Sequence, residues 1–182
     1  MVRWRWGPDK RNQVQIIRAA LFGCPDEVPP QRSNELPFIK DANFRKALLT
    51  DLEAARSALI HEEWKAATVL AGALVEALLL WAIQQNPQIP SACSAAVTAG
   101  NLPKKTLDDP LNWGLHELVE VAAQFSLIEP DSAKQTRLAK DFRNFIHPGL
   151  EIRTQQSCGR GTALAASAAV ELVSRDLQTR FP

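Results

Sequence analysis

An all-α fold, a helical bundle of about five to six helices, is what the sequence predicts, and three observations predict it. Apolar residues recur at three- and four-residue spacing through most of the chain, the period of an amphipathic helix. Strictly alternating stretches, the mark of a half-buried strand, are almost absent, and there is no tyrosine. Proline and glycine fall mostly between the periodic stretches, where they act as punctuation. The 182 residues are 46% hydrophobic and 23% charged, enough to fill one core and unlike a disordered chain.

Residues 1–40 read as an N-terminal arm with one short helix, from Asp9 after Pro8 to Phe22 before Gly23. Pro25, Pro29, Pro30 and Pro37 mark the loop behind it. The bundle domain is expected over 41–182. Its first helix starts at Asp41 or Asn43, either of which can cap it, and Phe44, Leu48, Leu52, Ala55 and Leu59 make one apolar face. A tight connection at His61-Glu62-Glu63 leads to the next helix. There Trp64, Ala67, Ala71, Leu74, Leu78 and Trp81 line one side, and Val69, Leu79, Leu80 and Ile83 the others. A helix apolar all round belongs at the centre of a bundle. Ala66 to Ile83 reaches the lower length limit of a membrane span, but Glu76 in its middle is costly in lipid, so no membrane partner is expected.

Pro87 to Pro110 reads as a long excursion with one short helical stretch around Ala92 to Ala99. A helix follows from Trp113 to Phe125. The next runs from Asp131 to His147, stopped by Pro148 and Gly149. A loop from Leu150 to Gly161 holds Arg153 and Arg160. Thr162 then caps a last helix whose Ala163, Ala166, Val170, Val173 and Leu177 face inward.

The net charge of +1 gives no global pull on nucleic acid, so any basic site is local. On the helix from Asp131 to His147, Leu138, Phe142, Phe145 and Ile146 read as the core face. Thr136, Lys140, Arg143 and His147 read as a stripe on its flank, suited to phosphate. The helix dipole favours a charged His147 and Arg143 disfavours it, which suits a general acid or base near neutrality. The alternative is plain: His147 caps the last carbonyls and the basic stripe is solvated surface. Glu76 can pair with Arg143 and orient it, or be satisfied locally. His61 and His116 read as surface residues. Cys24, Cys93 and Cys158 are scattered and make no metal spacing with them, so neither a metal nor another cofactor is expected. Trp4 and Trp6, interleaved with Arg3 and Arg5, can stack on a base or pack the arm onto the bundle. No leader with an apolar run follows Met1, which points to the cytoplasm.

The run Arg143-Asn144-Phe145-Ile146-His147-Pro148 resembles the signature of the HEPN superfamily of helical domains. The helix around Leu70 to Leu78 and the Gly149, Arg153, Cys158 stretch before the last helix add to that resemblance, which covers Phe44 to Leu177. It implies metal-independent endoribonuclease activity of a prokaryotic toxin or antiviral defence system. It gives His147 the proton transfer, Arg143 the scissile phosphate and Asn144 an assisting role, with Lys140, Arg153 and Arg160 along the substrate. It also implies RNA as a partner, a homodimer that completes the site, and an antitoxin or defence-system protein. The family usually leaves a longer gap between Arg and His than Asn144, Phe145 and Ile146. That short gap supports the alternative, a catalytically inactive HEPN-like module that binds a protein, nucleotide or RNA.

Overall fold

In a computed structural model, which describes residues 35–144, 149, 152, 153, 155 and 157–182, the bundle is all helical. Its described α-helices are α1 (Ala42–Ile60), α2 (Trp64–Gln84), α3 (Gln88–Thr98), α4 (Leu115–Gln124), α5 (Pro130–Asn144) and α6 (Arg160–Arg180). Two 3-10 turns, Lys104–Leu107 and Pro110–Asn112, lie between α3 and α4. No strand occurs among the described residues. The chain divides into Met1–Arg32 and Ser33–Pro182. The helix expected from Asp9 to Phe22 and the Trp4/Trp6 arm lie outside the described residues. Leu36, Phe38 and Ile39 are buried in the core, so the bundle unit takes in residues ahead of position 41.

Asp41, not Asn43, caps α1: its Oδ1 accepts from the amides of Asn43 at 2.9 Å and Phe44 at 3.0 Å. Leu48, Leu52, Ala55 and Ala58 are the buried face. The helix closes in a Schellman motif. The Glu63 amide reaches the Ala58 carbonyl at 2.8 Å and the Glu62 amide reaches Leu59 at 3.2 Å, with Glu62 at φ 60°. α4 ends the same way, with Leu127 bonded to Ala122 at 2.8 Å around Ser126 at φ 54°.

The central helix is α2. Ala67, Ala71, Leu74, Val75, Leu78, Leu79, Ala82 and Ile83 are all buried, and α1, α4, α5 and α6 pack around it. By length and composition α2 could cross a membrane, and it is packed on several sides by the bundle. The long excursion is more ordered than its sequence suggests. α3 starts at Gln88, whose amide bonds the Asn86 side chain at 3.1 Å, and Pro90 sits in its first turn, where no helical amide bond is lost. α4 starts at Leu115 rather than Trp113, because the Glu117 carboxylate accepts from the Gly114 amide at 2.9 Å. α6 starts at Arg160 rather than after Thr162. Thr162 sits in its first turn, where its hydroxyl accepts from the Gly159 amide at 2.9 Å.

The phase of α5 differs most from expectation. Among the described side chains its buried residues are Ser132, Ala133, Thr136 and Ala139, and Leu138, expected in the core, is 43% exposed; the side chains of Phe142, Phe145 and Ile146, also expected there, lie outside those described. Thr136, expected on a polar flank, is fully buried and donates to the Ser132 carbonyl at 2.7 Å. Small side chains let α5 lie close to α2 and α6, and that geometry outweighs the larger transfer energy of one leucine.

Candidate functional site

Two cross-chain bonds set the direction of α5 against α6. The Asp176 carboxylate, nearly buried, accepts from the Glu129 amide at the start of α5 at 2.8 Å. Further along α5, the Gln135 amide donates to the Ala165 carbonyl at 2.9 Å. The helices therefore run antiparallel, and the last turn of α5 is level with the first turn of α6. That end of the bundle also receives the close of α1 and the start of α2, because Ala163 packs against Ala58 and Ala67.

Arg143 and Asn144 occupy the last turn of α5, and helix register puts position 143 on the line of Thr136 and Ala139. Their side chains, and residues 145–148 with His147, lie outside the described residues. So does the expected extension of the helix to His147. Arg160 opens α6 and is exposed, as is Arg153 before it. Lys140 is not a free cation: its ammonium lies 3.0 Å from the Asp141 carboxylate. Glu76 is half-buried on α2 and has a partner, but its expected pairing with Arg143 lies outside the described residues.

A charged cluster on α4 and α5 has no counterpart in the sequence reading. Arg137 grips the Glu120 carboxylate with Nε at 2.7 Å and Nη2 at 2.8 Å. His116, read as plain surface, places Nδ1 3.8 Å from the same carboxylate. These hydrogen bonds hold Glu120 below the usual carboxylate range, against the opposing effect of burial; the charges of Arg137, His116 and Lys140 add to the lowering. Arg137 is correspondingly raised. The folded pKa of Glu120 is lowered, so its stabilising contribution is present above the unfolded value and is lost as pH falls through the folded one. Glu120→Gln is expected to flatten that acid limb of the stability curve, as followed by urea unfolding at several pH values. An unchanged acid limb would remove Glu120 from the account. On α6, burial pushes Glu171 up, and the Arg56 charge opposes it.

His61, also expected at the surface, is exposed and bonds the Ser57 carbonyl through Nδ1 at 2.8 Å. Cys158 is buried, its thiol donating to the Thr68 hydroxyl at 3.2 Å. Burial pushes the Cys93 thiol up, away from reactivity. Among the described residues no group of three or more His, Cys, Asp or Glu side chains is placed to hold a metal ion.

At the opposite end of the bundle, a groove of about 810 Å³ is lined by Phe38, Phe44, Trp81 and Phe181, with Lys40 at its edge. Trp81 meets Phe38 in a tilted contact, 5.4 Å between ring centres, and Phe181 edge-on at 5.1 Å. These contacts hold the chain ends of the bundle unit onto α2.

No protein-family model, curated protein or solved structure matches this chain.

Proposed function

We propose that the chain is a HEPN-like endoribonuclease of a prokaryotic toxin or antiviral defence system, acting on RNA without a metal. The observation that carries this reading is the arrangement at one end of the bundle. The last turn of α5, with Arg143 and Asn144, is level with the first turn of α6, which opens on exposed Arg160. Two guanidinium-bearing turns at one level suit a phosphodiester backbone. The motif then supplies the chemistry. His147 takes the proton of a ribose 2′-hydroxyl, the 2′-oxygen attacks the neighbouring phosphorus, and the bond from phosphorus to the 5′-oxygen breaks, that oxygen taking a proton from water. Arg143 holds the phosphate charge and Asn144 assists. Arg153 and Arg160 follow the flanking phosphates. The reading places the chain in the cytoplasm, alongside an antitoxin or another defence-system protein.

A second reading, a catalytically inactive module that binds a partner through the same end, is favoured by the pairing of Lys140 with Asp141 and by the short Arg143–His147 spacing. The charge of Lys140 is partly neutralised before any phosphate arrives, so its expected place along the substrate is weaker than those of Arg153 and Arg160.

The test is an RNA-cleavage assay across structured and single-stranded substrates, with and without chelator. The proposed chemistry runs through side chains alone, so cutting is expected to persist in EDTA. Activity lost in EDTA and restored by a divalent cation would overturn the mechanism. RNA binding with no cutting on any substrate would establish the second reading.

A further inference from the structure

The groove over Trp81 lies at the other end of the bundle from the turns that carry Arg143 and Arg160. Its volume, about 810 Å³, is that of a small-molecule pocket. Phe44, Leu80, Trp81 and Phe181 on its lining are only half-buried, and Leu111 is 67% exposed. So much uncovered apolar surface in one concavity favours an apolar occupant. The rings do not make a slot for a flat molecule. Phe38 meets Trp81 at 53° and Phe181 meets it at 70°, whereas a plate held on both sides needs parallel walls. A flexible chain of methylenes can follow such tilted surfaces. The charges on the lining set the other end of the ligand. Lys40 is exposed, is the only cation there, and has no ion pair among the described residues. Asp41 is the only anion there, and its Oδ1 is engaged by the Asn43 and Phe44 amides at the N-terminus of α1.

We propose that this groove binds a free acyl carboxylate, its methylene chain lying against Leu80, Trp81 and Phe181 and its carboxylate meeting the Lys40 ammonium. Each methylene taken out of water adds to affinity, and the ion pair fixes which way round the chain lies. The ligand is a dissolved molecule rather than a bilayer, because one lysine falls short of the basic cluster that an anionic membrane needs. Phe38 precedes α1, Trp81 belongs to α2 and Phe181 follows α6, so an acyl chain laid across them touches three separate parts of the fold. The inference goes beyond the ribonuclease reading, since it concerns the other end of the bundle and holds whether or not the chain cuts RNA.

Isothermal titration calorimetry of the full chain tests it, with decanoate below its micelle concentration and decanol as the uncharged analogue. Wild type is expected to bind both at a single site per chain. Lys40→Glu replaces the attraction by a repulsion and is expected to weaken decanoate by about tenfold while leaving decanol unchanged. Ala77→Trp places a large ring in the groove and is expected to abolish binding of both. Lys40 is exposed and Ala77 only half-buried, so unchanged helical circular dichroism is expected for both variants. Wild type that binds no decanoate overturns the proposal, as do many weak sites in place of one. Decanoate binding indifferent to Lys40→Glu overturns the role of Lys40, and binding undiminished in Ala77→Trp overturns the groove. Co-sedimentation with vesicles of phosphatidylcholine and phosphatidylserine is not expected; vesicle binding without decanoate binding would replace the dissolved ligand by a membrane.

Discussion

His147→Ala is expected to reduce RNA cleavage by about 10²–10⁴-fold while leaving the bundle intact, because the proposed reaction needs an imidazole that moves a proton. The competing role for His147, a cap on the last carbonyls of its helix, has a different signature. There the same substitution costs on the order of 1 kcal/mol of stability and changes no activity. Kinetics and urea unfolding on one variant therefore separate the two roles. His147→Gln sharpens the comparison, since glutamine can still donate to a carbonyl but does not titrate near neutrality. If the Gln variant cuts as fast as wild type, His147 is not the base. If Arg143→Ala keeps full activity as well, the site lies elsewhere on the bundle.

The second large effect concerns stability. Leu79 is fully buried in the second half of α2, a helix that α1, α4, α5 and α6 pack against. Leu79→Ala is expected to cost about 2–5 kcal/mol, the sum of lost transfer energy and the cavity left in a tightly packed core. Chemical denaturation reads this directly. A loss below about 1 kcal/mol, well under the range for buried leucines, would mean that α2 is not the centre of the fold. Leu138→Ala, on the exposed side of α5, is expected to be nearly neutral for the monomer.

The helices of the bundle were legible because their punctuation is local. Asp41 caps α1 by bonding amides two and three residues on, and Asn86-Pro87 closes α2. The turns at Glu62 and Ser126 were located despite having no glycine, since the apolar periodicity breaks there. The phase of α5 was not legible. Leu138 shares a helical face with Phe142 and Phe145, and that spacing draws a sequence reading toward it. Among the described side chains the interior face is made of Ser132, Ala133, Thr136 and Ala139, whose value is closeness rather than hydrophobicity. The Glu120–Arg137 pair was equally hidden, because its residues lie 17 apart in the chain on two different helices and leave no spacing signal. Of the candidate site, the placing of Arg143 and Asn144 on this helix was readable from its apolar periodicity, while the stop expected at Pro148 and Gly149 falls on residues that are not all described. The position of Arg143 and Asn144 level with Arg160 needed the antiparallel packing of α5 and α6.

The bond from Asp176 to the Glu129 amide spans 47 residues. At a synthesis rate of about 5–20 residues per second, α5 waits roughly 2–10 s on the ribosome before its capping partner has even been made. During that interval α2 lacks the helix that packs along one of its sides, and a long apolar surface stands open to the cell. A nascent chain stalled before α6 therefore offers what chaperones that hold apolar segments recognise. The yield of folded protein is expected to depend on their supply more than its modest size suggests.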